Sequence, residues 1–273
     1  MLTLVEVRTS HGDLLGMPLG DVSNGFSVEE IEGLDPVKAT LVSSSFAKMD
    51  GEQYQSSRRE TRNIKLKLGL EPDYLTNSVR DLRKRLYLFF MPKSLVNLKF
   101  YMSSGLIVDI VGRVESFETP LFAKEPAVDI SIVCFDPDFI SPTLGSLSGM
   151  STATMTETLI QYDGTVESGI SMVMPVNRTL SALTIYHRPS DGTLRLLDFS
   201  APLVAGDSLK INTVAGNKSV TRTRTGTLSS VLYGVSPQSS WIELLPGDNY
   251  IRVYAVGAEI PFTIEYKNRY GGL

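Results

Sequence analysis

The segment SLKINTVAGNKSVTRTRTG (residues 208–226) decides how the second half of the chain is interpreted. Leu209 and Ile211 alternate with polar residues, which is the period of a strand that buries one face. Residues 215–217 (Ala-Gly-Asn) then supply turn chemistry, and a second strand-like run follows from 219 to 226. The pattern predicts a β-hairpin.

The rest of the second half repeats this arrangement of short strand-like runs separated by turn residues. The other runs are IQYDG (160–164), ISMVMPV (170–176), ALTIYHR (182–188), TLRLLDF (193–199), SWIEL (240–244), NYIRVYAV (249–256) and PFTIEYKNRY (261–270). Short strands at this spacing are typical of antiparallel all-β domains. We therefore predict an antiparallel β-sandwich of the jelly-roll type.

The first half also contains strand-like runs, but one helix interrupts them. The strand-like runs are GFSVEEIEG (25–33), KATLVSSSFA (38–47), RNIKLKLGL (62–70), LKFYMS (98–103), GLIVDIVGRVESFET (105–119) and AVDISIVCF (127–135). The segment RDLRKRLYLFF (80–90) has apolar residues at helical spacing, with Thr76 or Asn77 as its N-cap and Pro92 after its end. We expect a mainly β protein with a single α-helix in its first half.

A Ser/Thr/Gly-rich stretch separates the halves. Of the residues from Ser141 to Thr158, eleven of eighteen are Ser, Thr or Gly, and Glu157 is the one charged residue. Such a composition buries little and bends easily. We therefore predict a domain at 1–140, a linker at 141–158 and a second domain at 159–273.

The composition argues against an enzyme. The chain has 273 residues, one cysteine and two histidines, with no glycine-rich phosphate loop and no Cys/His cluster for zinc. Asp136 and Asp138 flank a proline, which is typical of turn formers, and His187 has no evident catalytic partner. We predict no catalytic, cofactor or metal site, although calcium bound by loop carboxylates of the second half stays open. No apolar run reaches the roughly 18 residues that span a bilayer, so no membrane insertion is expected.

The net charge of −4 comes from the first half alone. Residues 1–140 contain 16 Lys and Arg against 20 Asp and Glu, whereas residues 141–273 contain ten of each. Five acids and no base lie in the stretch 21–35: Asp21, Glu29, Glu30, Glu32 and Asp35. Either a solvated strand edge or a negatively charged functional face explains this stretch.

The order of several segments resembles the distal tail proteins of long-tailed bacteriophages. The resemblance rests on SSSFAKMDGEQYQSSRRETRNIKLKL (43–68), the helix at 80–90, and IVGRVESFETPLFAKEPAVDISIVCFDPDF (110–139). In the second half, residues 206–220, SSWIELLPGDNYIRV (239–253) and the ending FTIEYKNRYGGL (262–273) resemble the galectin-like sandwich of many members. The similarity covers nearly the whole chain.

The resemblance implies a structural virion protein. Distal tail proteins form a hexameric ring between the tail tube and the tail tip or hub, which carries receptor-binding proteins or fibres. The first domain then forms the ring, the second is a peripheral attachment platform, DNA passes through the lumen without specific binding, and assembly takes place in the host cytoplasm. The alternative is a carbohydrate-binding adaptor that stacks sugars on Trp241, Tyr233 or Tyr254.

Two sets of residues follow as candidates for assembly. The polar arm DGEQYQSSRRETR (50–62) is expected to be a hairpin extension that places Arg58, Arg59 or Arg62 at a subunit interface. An acidic inner wall avoids binding DNA phosphates, so some of the five acids of 21–35 are expected to line the channel or its rim. The helix bases Arg80, Arg83, Lys84 and Arg85 are expected to face away from it.

Overall fold

The computed structural model describes residues 1–47, 50–73, 75–120 and 125–273. It divides into two compact units, of which the first comprises residues 1–142 with 271–273 and the second comprises residues 143–270. The last three residues of the chain therefore belong to the first unit. The second unit takes in most of the stretch that the composition marked as a linker.

In its described residues, the first unit is a β structure with one helix. Its elements are β1 (Leu2–Thr9), β2 (Leu14–Pro18), β3 (Phe26–Glu32), β4 (Ala39–Ser44), β5 (Gln53–Arg59), β6 (Arg62–Leu70), α1 (Val79–Phe90), β7 (Leu95–Met102), β8 (Ile107–Glu118), β9 (Ala127–Cys134) and the start of β10 (Phe139–Met150). Seven strands pair antiparallel in the order β3-β6-β9-β8-β7-β1-β2. This confirms the predicted β-rich first half with a single helix.

The alternation of β6 shows how this sheet divides into two faces. Ile64, Leu66 and Leu68 are buried, whereas Lys65 and Lys67 between them reach solvent. Helix α1 contacts β1 and β6 and buries Leu82, Leu86, Phe89 and Phe90. The apolar face of the sheet is thus covered, and the polar face is left open.

Helix α1 begins with a capping box. Ser78 accepts a hydrogen bond from the Asp81 amide, and the Asp81 carboxylate accepts one from the Ser78 amide. The prediction of Thr76 or Asn77 as N-cap was wrong, because only Ser78 is followed three residues later by an acidic side chain that reaches back. The helix ends at Phe90, two residues before Pro92.

The first part of the predicted linker 141–158 is a strand. Strand β10 runs through it to Met150. Here the glycines serve close packing, because a Cβ on Gly145 would lie 2.5 Å from the Tyr266 ring and one on Gly149 would lie 2.7 Å from the Phe262 ring. Small residues allow these aromatic rings to rest on the backbone of the strand.

The second unit is an antiparallel β-sandwich, as predicted. Its remaining elements are β11 (Thr158–Tyr162), β12 (Ser168–Pro175), β13 (Leu180–Arg188), β14 (Arg195–Leu203), β15 (Ser208–Asn212), β16 (Ser219–Arg224), β17 (Thr227–Ser230), a 3₁₀ helix (Leu232–Gly234), β18 (Glu243–Leu244), β19 (Gly247–Tyr254) and β20 (Pro261–Tyr270). One layer has the order β17-β16-β15-β12-β20-β10 and the other the order β11-β19-β13-β14. A single apolar cluster fills the space between them.

Candidate functional site: assembly surfaces

The arm of the first unit is a hairpin of its own. Strands β4 and β5 pair antiparallel, with Ala39 opposite Arg59 and Ser44 opposite Gln53. Within the described ranges, neither strand pairs with the seven-stranded sheet. We call β4, β5 and the described residues between them the arm; β5 lies within the segment 50–62 for which the sequence predicted a hairpin, and β4 precedes that segment.

The arm exposes large apolar side chains. The exposed fractions are 68% for Leu41, 62% for Tyr54, 52% for Phe46 and 46% for Val42. A two-stranded ribbon has no second layer on which to bury such residues, and an isolated hairpin is marginal in water. Several large exposed apolar side chains on a ribbon without a second layer indicate contact with another protein.

An ion pair fixes the base of the arm. The Arg59 guanidinium contacts the Asp138 carboxylate, which is buried. The Asp138 amide donates to the Asp136 carboxylate. Asp136 thus stabilises the local turn, and Asp138 binds Arg59 of the arm. Arg59 therefore has a carboxylate partner in its own chain, whereas Arg58 is exposed on β5.

Arg62 is not at a subunit interface, contrary to the prediction. Its side chain is buried, and its guanidinium donates to the carbonyl oxygens of Gly33 (2.5 Å), Asp35 (2.7 Å), Pro137 (2.6 Å) and Gly271 (2.6 Å). The guanidinium also lies 4.3 Å from the centre of the Phe139 ring. Burial lowers the pKa of Arg62 from its usual value. An arginine that is buried and donates to four carbonyls inside the unit is a structural residue, because its guanidinium is not exposed to a neighbour.

Three of the predicted channel acids share the open face of the sheet. In β3, Glu30 lies opposite Lys67 and Glu32 opposite Lys65, and a bulge at Glu29 turns that residue to the same face. Lys67 pairs with Glu29 at 3.0 Å and Lys65 with Glu32 at 2.9 Å, which raises the pKa of both lysines through hydrogen bonding. These pairs are solvent-exposed and add little stability.

The same face contains a groove, which we call the acidic groove. The charged residues that line it are Glu30, Glu32, Lys65, Lys67, Glu115, Glu118 and Asp129. Five acids against two lysines leave an excess of negative charge. The helix bases lie elsewhere, since Arg85 donates to the Asn24 carbonyl and Arg83 to the Pro120 carbonyl from a helix on the apolar side.

The other two predicted channel acids do not lie in this groove. Asp21 accepts hydrogen bonds from the Ser23 amide and hydroxyl in a loop before β3. Asp35 follows the end of β3, where its carbonyl binds Arg62. The acids that are close in sequence are therefore separated in the fold, and Glu115, Glu118 and Asp129 take their place.

The aromatic residues considered for sugar stacking do not form one platform. Trp241 is partly buried against the sandwich core, with the Lys218 ammonium 5.8 Å from its ring centre. Tyr254 projects from β19 on the four-stranded layer and Tyr233 is exposed in the 3₁₀ helix. This separation gives the carbohydrate-binding alternative no supporting geometry.

His187 is a core residue of the sandwich. Its Nε2 lies 3.0 Å from the Asn249 side-chain oxygen, and burial lowers its pKa. Among the described residues, no group of three His, Cys, Asp or Glu side chains is placed to hold a metal ion. In the same part of the chain, no helix combines the length and apolar character needed to cross a membrane.

Comparison with known proteins supports the resemblance seen in the sequence. Residues 163–270 match the family model of the siphovirus-type tail component, C-terminal domain. The chain is similar to the crystal structure of the Dit protein (gp 19.1) of phage SPP1, described as a paradigm of the hub adsorption apparatus in phages infecting Gram-positive bacteria. That match has 15% identity and a TM-score of 0.66, over 97% of this chain and 98% of that one.

A second match is a chain of the phage p2 baseplate in its activated conformation. It has 10% identity and a TM-score of 0.46, over 99% of both chains. No curated protein sequence matches significantly.

Proposed function

Because residues 163–270 carry the C-terminal domain of the siphovirus-type tail component family and the whole chain has the fold of SPP1 Dit, we propose that this protein is a distal tail protein of a phage virion. In this role it forms a ring, with six copies, at the distal end of the tail, where it joins the tail tube to the tail tip. The role is structural, without catalysis. Assembly takes place in the cytoplasm of the bacterial host.

The exposed apolar side chains of the arm are the observation that supports assembly into a ring. Its four exposed apolar side chains, Leu41, Val42, Phe46 and Tyr54, require a cover that the two-stranded ribbon lacks. In a closed ring each arm packs on the next copy, so every copy both gives and receives the same contact. Arg58 lies on the same ribbon and is available to pair with carboxylates of the neighbour.

The acidic groove fits the wall of the channel. DNA that passes through a ring is held back by lysine and arginine contacts to its phosphates, whereas like charge repels it. The groove has five acids and two lysines, and both lysines are engaged with Glu29 and Glu32. We place Glu30, Glu115, Glu118 and Asp129 along this wall.

The second unit then serves attachment. It has its own core and a sandwich form, and it belongs to the part of the chain that matches the tail-component model. In the proposed virion its partners are the tail hub and the receptor-binding proteins or fibres.

Light scattering of the full chain tests the ring. We expect a mass of six times the 30.0 kDa chain. Changing Leu41 and Phe46 to Ser should lower this mass, because it removes apolar contact at the interface. The matched control is Leu228→Ser, which changes a leucine with the same 68% exposure in the second unit. A wild-type monomer, or an arm variant with the full mass, contradicts the proposal.

A further inference from the structure

Residues 271–273 return to the first unit at the base of the arm. The chain enters the arm from residues 33–38 and leaves it through residues 60–62, and we call these two segments the root. Within the root, the Glu60 amide donates to the Lys38 carbonyl at 2.9 Å. In the described ranges β4 and β5 pair with no strand of the seven-stranded sheet, so the root sets the position of the arm.

Residues 271–273 bind the root through their backbone. The Leu273 amide donates to the Leu34 carbonyl at 3.0 Å. The Gly271 carbonyl accepts a hydrogen bond from Arg62 Nη2 at 2.6 Å. The first bond reaches the segment before the arm and the second reaches the segment after it, so residues 271–273 join the two sides of the root.

Gly272, between these two bonded residues, has no room for a side chain. A Cβ at this position would lie 2.7 Å from Pro36 Cδ and 2.9 Å from the Pro36 nitrogen. Glycine therefore allows the two backbones to approach closely. Any other residue here would push residues 271–273 and the root apart.

Arg62 makes this contact part of a larger cluster. Its buried guanidinium also donates to the carbonyls of Gly33 and Asp35 before the arm, and to the carbonyl of Pro137. Loss of Gly271 would take an acceptor from a buried cation, which costs more than the loss of an exposed hydrogen bond. Because the same guanidinium holds the segment before the arm, a change at Gly271 also affects the root.

The two sides of this contact are far apart in the sequence. Arg62 and Gly271 are separated by 209 positions, and the whole second unit, residues 143–270, lies between them. A chain is synthesised from its N-terminus, and its domains fold in that order. The root therefore stays incomplete until the second unit has been made.

We propose that residues 271–273 are a clasp that fixes the arm in its binding position, so that only a chain with a complete second unit enters the ring. The proposal relies on the ring and on the arm contact proposed above. A chain truncated within its second unit would otherwise occupy a position in the ring without a complete attachment unit. The clasp excludes such chains from assembly.

The test compares the full chain with two clasp variants, deletion of residues 271–273 and Gly272→Ala. The matched control is Gly16→Ala, because Gly16 lies in the same unit and a Cβ there would meet its nearest neighbour only at 3.9 Å. Hydrogen exchange is followed by mass spectrometry on samples diluted until light scattering gives the mass of one chain, so that no neighbouring copy protects the arm. We expect exchange in the root, β4 and β5 to become at least about tenfold faster in both clasp variants and to stay unchanged in the control.

Light scattering at higher concentration tests the effect on assembly. Both clasp variants should fall below the mass of six copies, and Gly16→Ala should keep the wild-type mass. Exchange in β6 and β9 reports whether the first unit is folded, and a melt followed by Trp241 fluorescence reports on the second unit. If the deletion unfolds the first unit, Gly272→Ala decides alone, since it keeps every backbone donor and acceptor of the clasp.

The outcomes separate the clasp from the ring. If the wild type has the mass of six copies and both clasp variants match it in mass, the ring stands and the clasp is wrong. Unchanged exchange in the root and the arm also overturns the clasp. If the wild type is a monomer and the clasp variants still exchange faster, residues 271–273 fix the arm and the ring is wrong.

Discussion

The arm and the sandwich place similar side chains in opposite environments. Leu41 and Val42 on β4 are exposed, whereas Leu209 and Ile211 on β15 are fully buried. Both pairs belong to short strands with β-forming residues. What differs is the presence of a second layer, which the sandwich supplies within the chain and the arm does not. An alternating pattern thus predicts the strand. It does not say whether the apolar face of that strand is buried by a second layer of the same chain or by a partner.

Buried charged groups find their partners within their own unit. In the first unit Arg62 is satisfied by four backbone carbonyls, and in the second unit Asp207 is satisfied by Arg224 and the Val204 amide. His187 is the intermediate case, because one of its ring nitrogens is bonded and Nδ1 is buried without a partner in the described structure. The predictions below order these sites by their expected effect on stability.

The largest effect is expected at Arg62. Arg62→Met keeps an unbranched side chain and leaves four carbonyl oxygens without donors, so the free energy of unfolding of the first unit should fall by about 4 kcal/mol. Hydrogen exchange followed by mass spectrometry should show lost protection in β6 and β9. Arg58→Met, on the exposed arm, is the matched control and should leave exchange unchanged. Normal protection in the Arg62 variant would mean that the four hydrogen bonds are not structural.

The next effect is expected at Asp207. Its carboxylate accepts from Arg224 Nε at 2.7 Å and from Arg224 Nη2 at 2.6 Å, which lowers its pKa to about 2. Because the pKa is depressed in the folded state, this stabilisation is present above the unfolded value of 3.8 and is lost as the pH falls through about 2. Asp207→Asn should cost about 2 kcal/mol near neutral pH, measured by urea unfolding with Trp241 fluorescence.

Asp198→Asn is the control for Asp207, since it changes an exposed aspartate on the same sandwich. The difference in stability between wild type and Asp207→Asn should shrink as the pH approaches 2. A difference that stays constant with pH would assign the loss to packing and not to the ion pair.

A smaller effect is expected at His187. Burial lowers its pKa, with the Asn249 hydrogen bond and Asp191 acting in the opposite direction and Arg195 adding to the decrease. The unfolded chain then binds the proton more readily, so the sandwich should lose stability as the pH falls below 6.5. The slope cannot exceed about 1.4 kcal/mol per pH unit for one group. Unfolding monitored by Trp241 fluorescence between pH 7 and 5 measures it.

His187→Gln removes the titrating group and should flatten this pH dependence, whereas His11→Gln, at an exposed histidine, should not. If His187→Gln retains the full wild-type slope, other groups are responsible for the acid sensitivity.

Several parts of this structure were predictable because their signals are local. The alternation of Ile64, Leu66 and Leu68 predicted β6, and the helical spacing predicted α1. Strand β1 was missed although Val5 and Val7 alternate with Glu6 and Arg8 in the same way. Of the predicted strand SWIEL, only Glu243–Leu244 is paired.

The functional surfaces were harder to predict, because they depend on residues distant in sequence. Arg62 lies in a polar run that also contains the exposed Arg58, and nothing local separates the two. The acidic groove combines β3 with acids from β8 and β9, which only the strand order brings together.

The smallest effect on stability, and the sharpest test of the opening comparison, is expected at the arm. Leu41→Ser should change the free energy of unfolding of the isolated chain by less than about 0.5 kcal/mol, because an exposed side chain loses no contacts in the chain itself. Leu209→Ala in the sandwich should cost about 3 kcal/mol, because it leaves a cavity in a closed core. Dilution until light scattering gives the mass of one chain, followed by urea unfolding, measures both. A large loss from Leu41→Ser would show that the arm is covered within its own chain, and the reason to assign it to a neighbouring copy would then be gone.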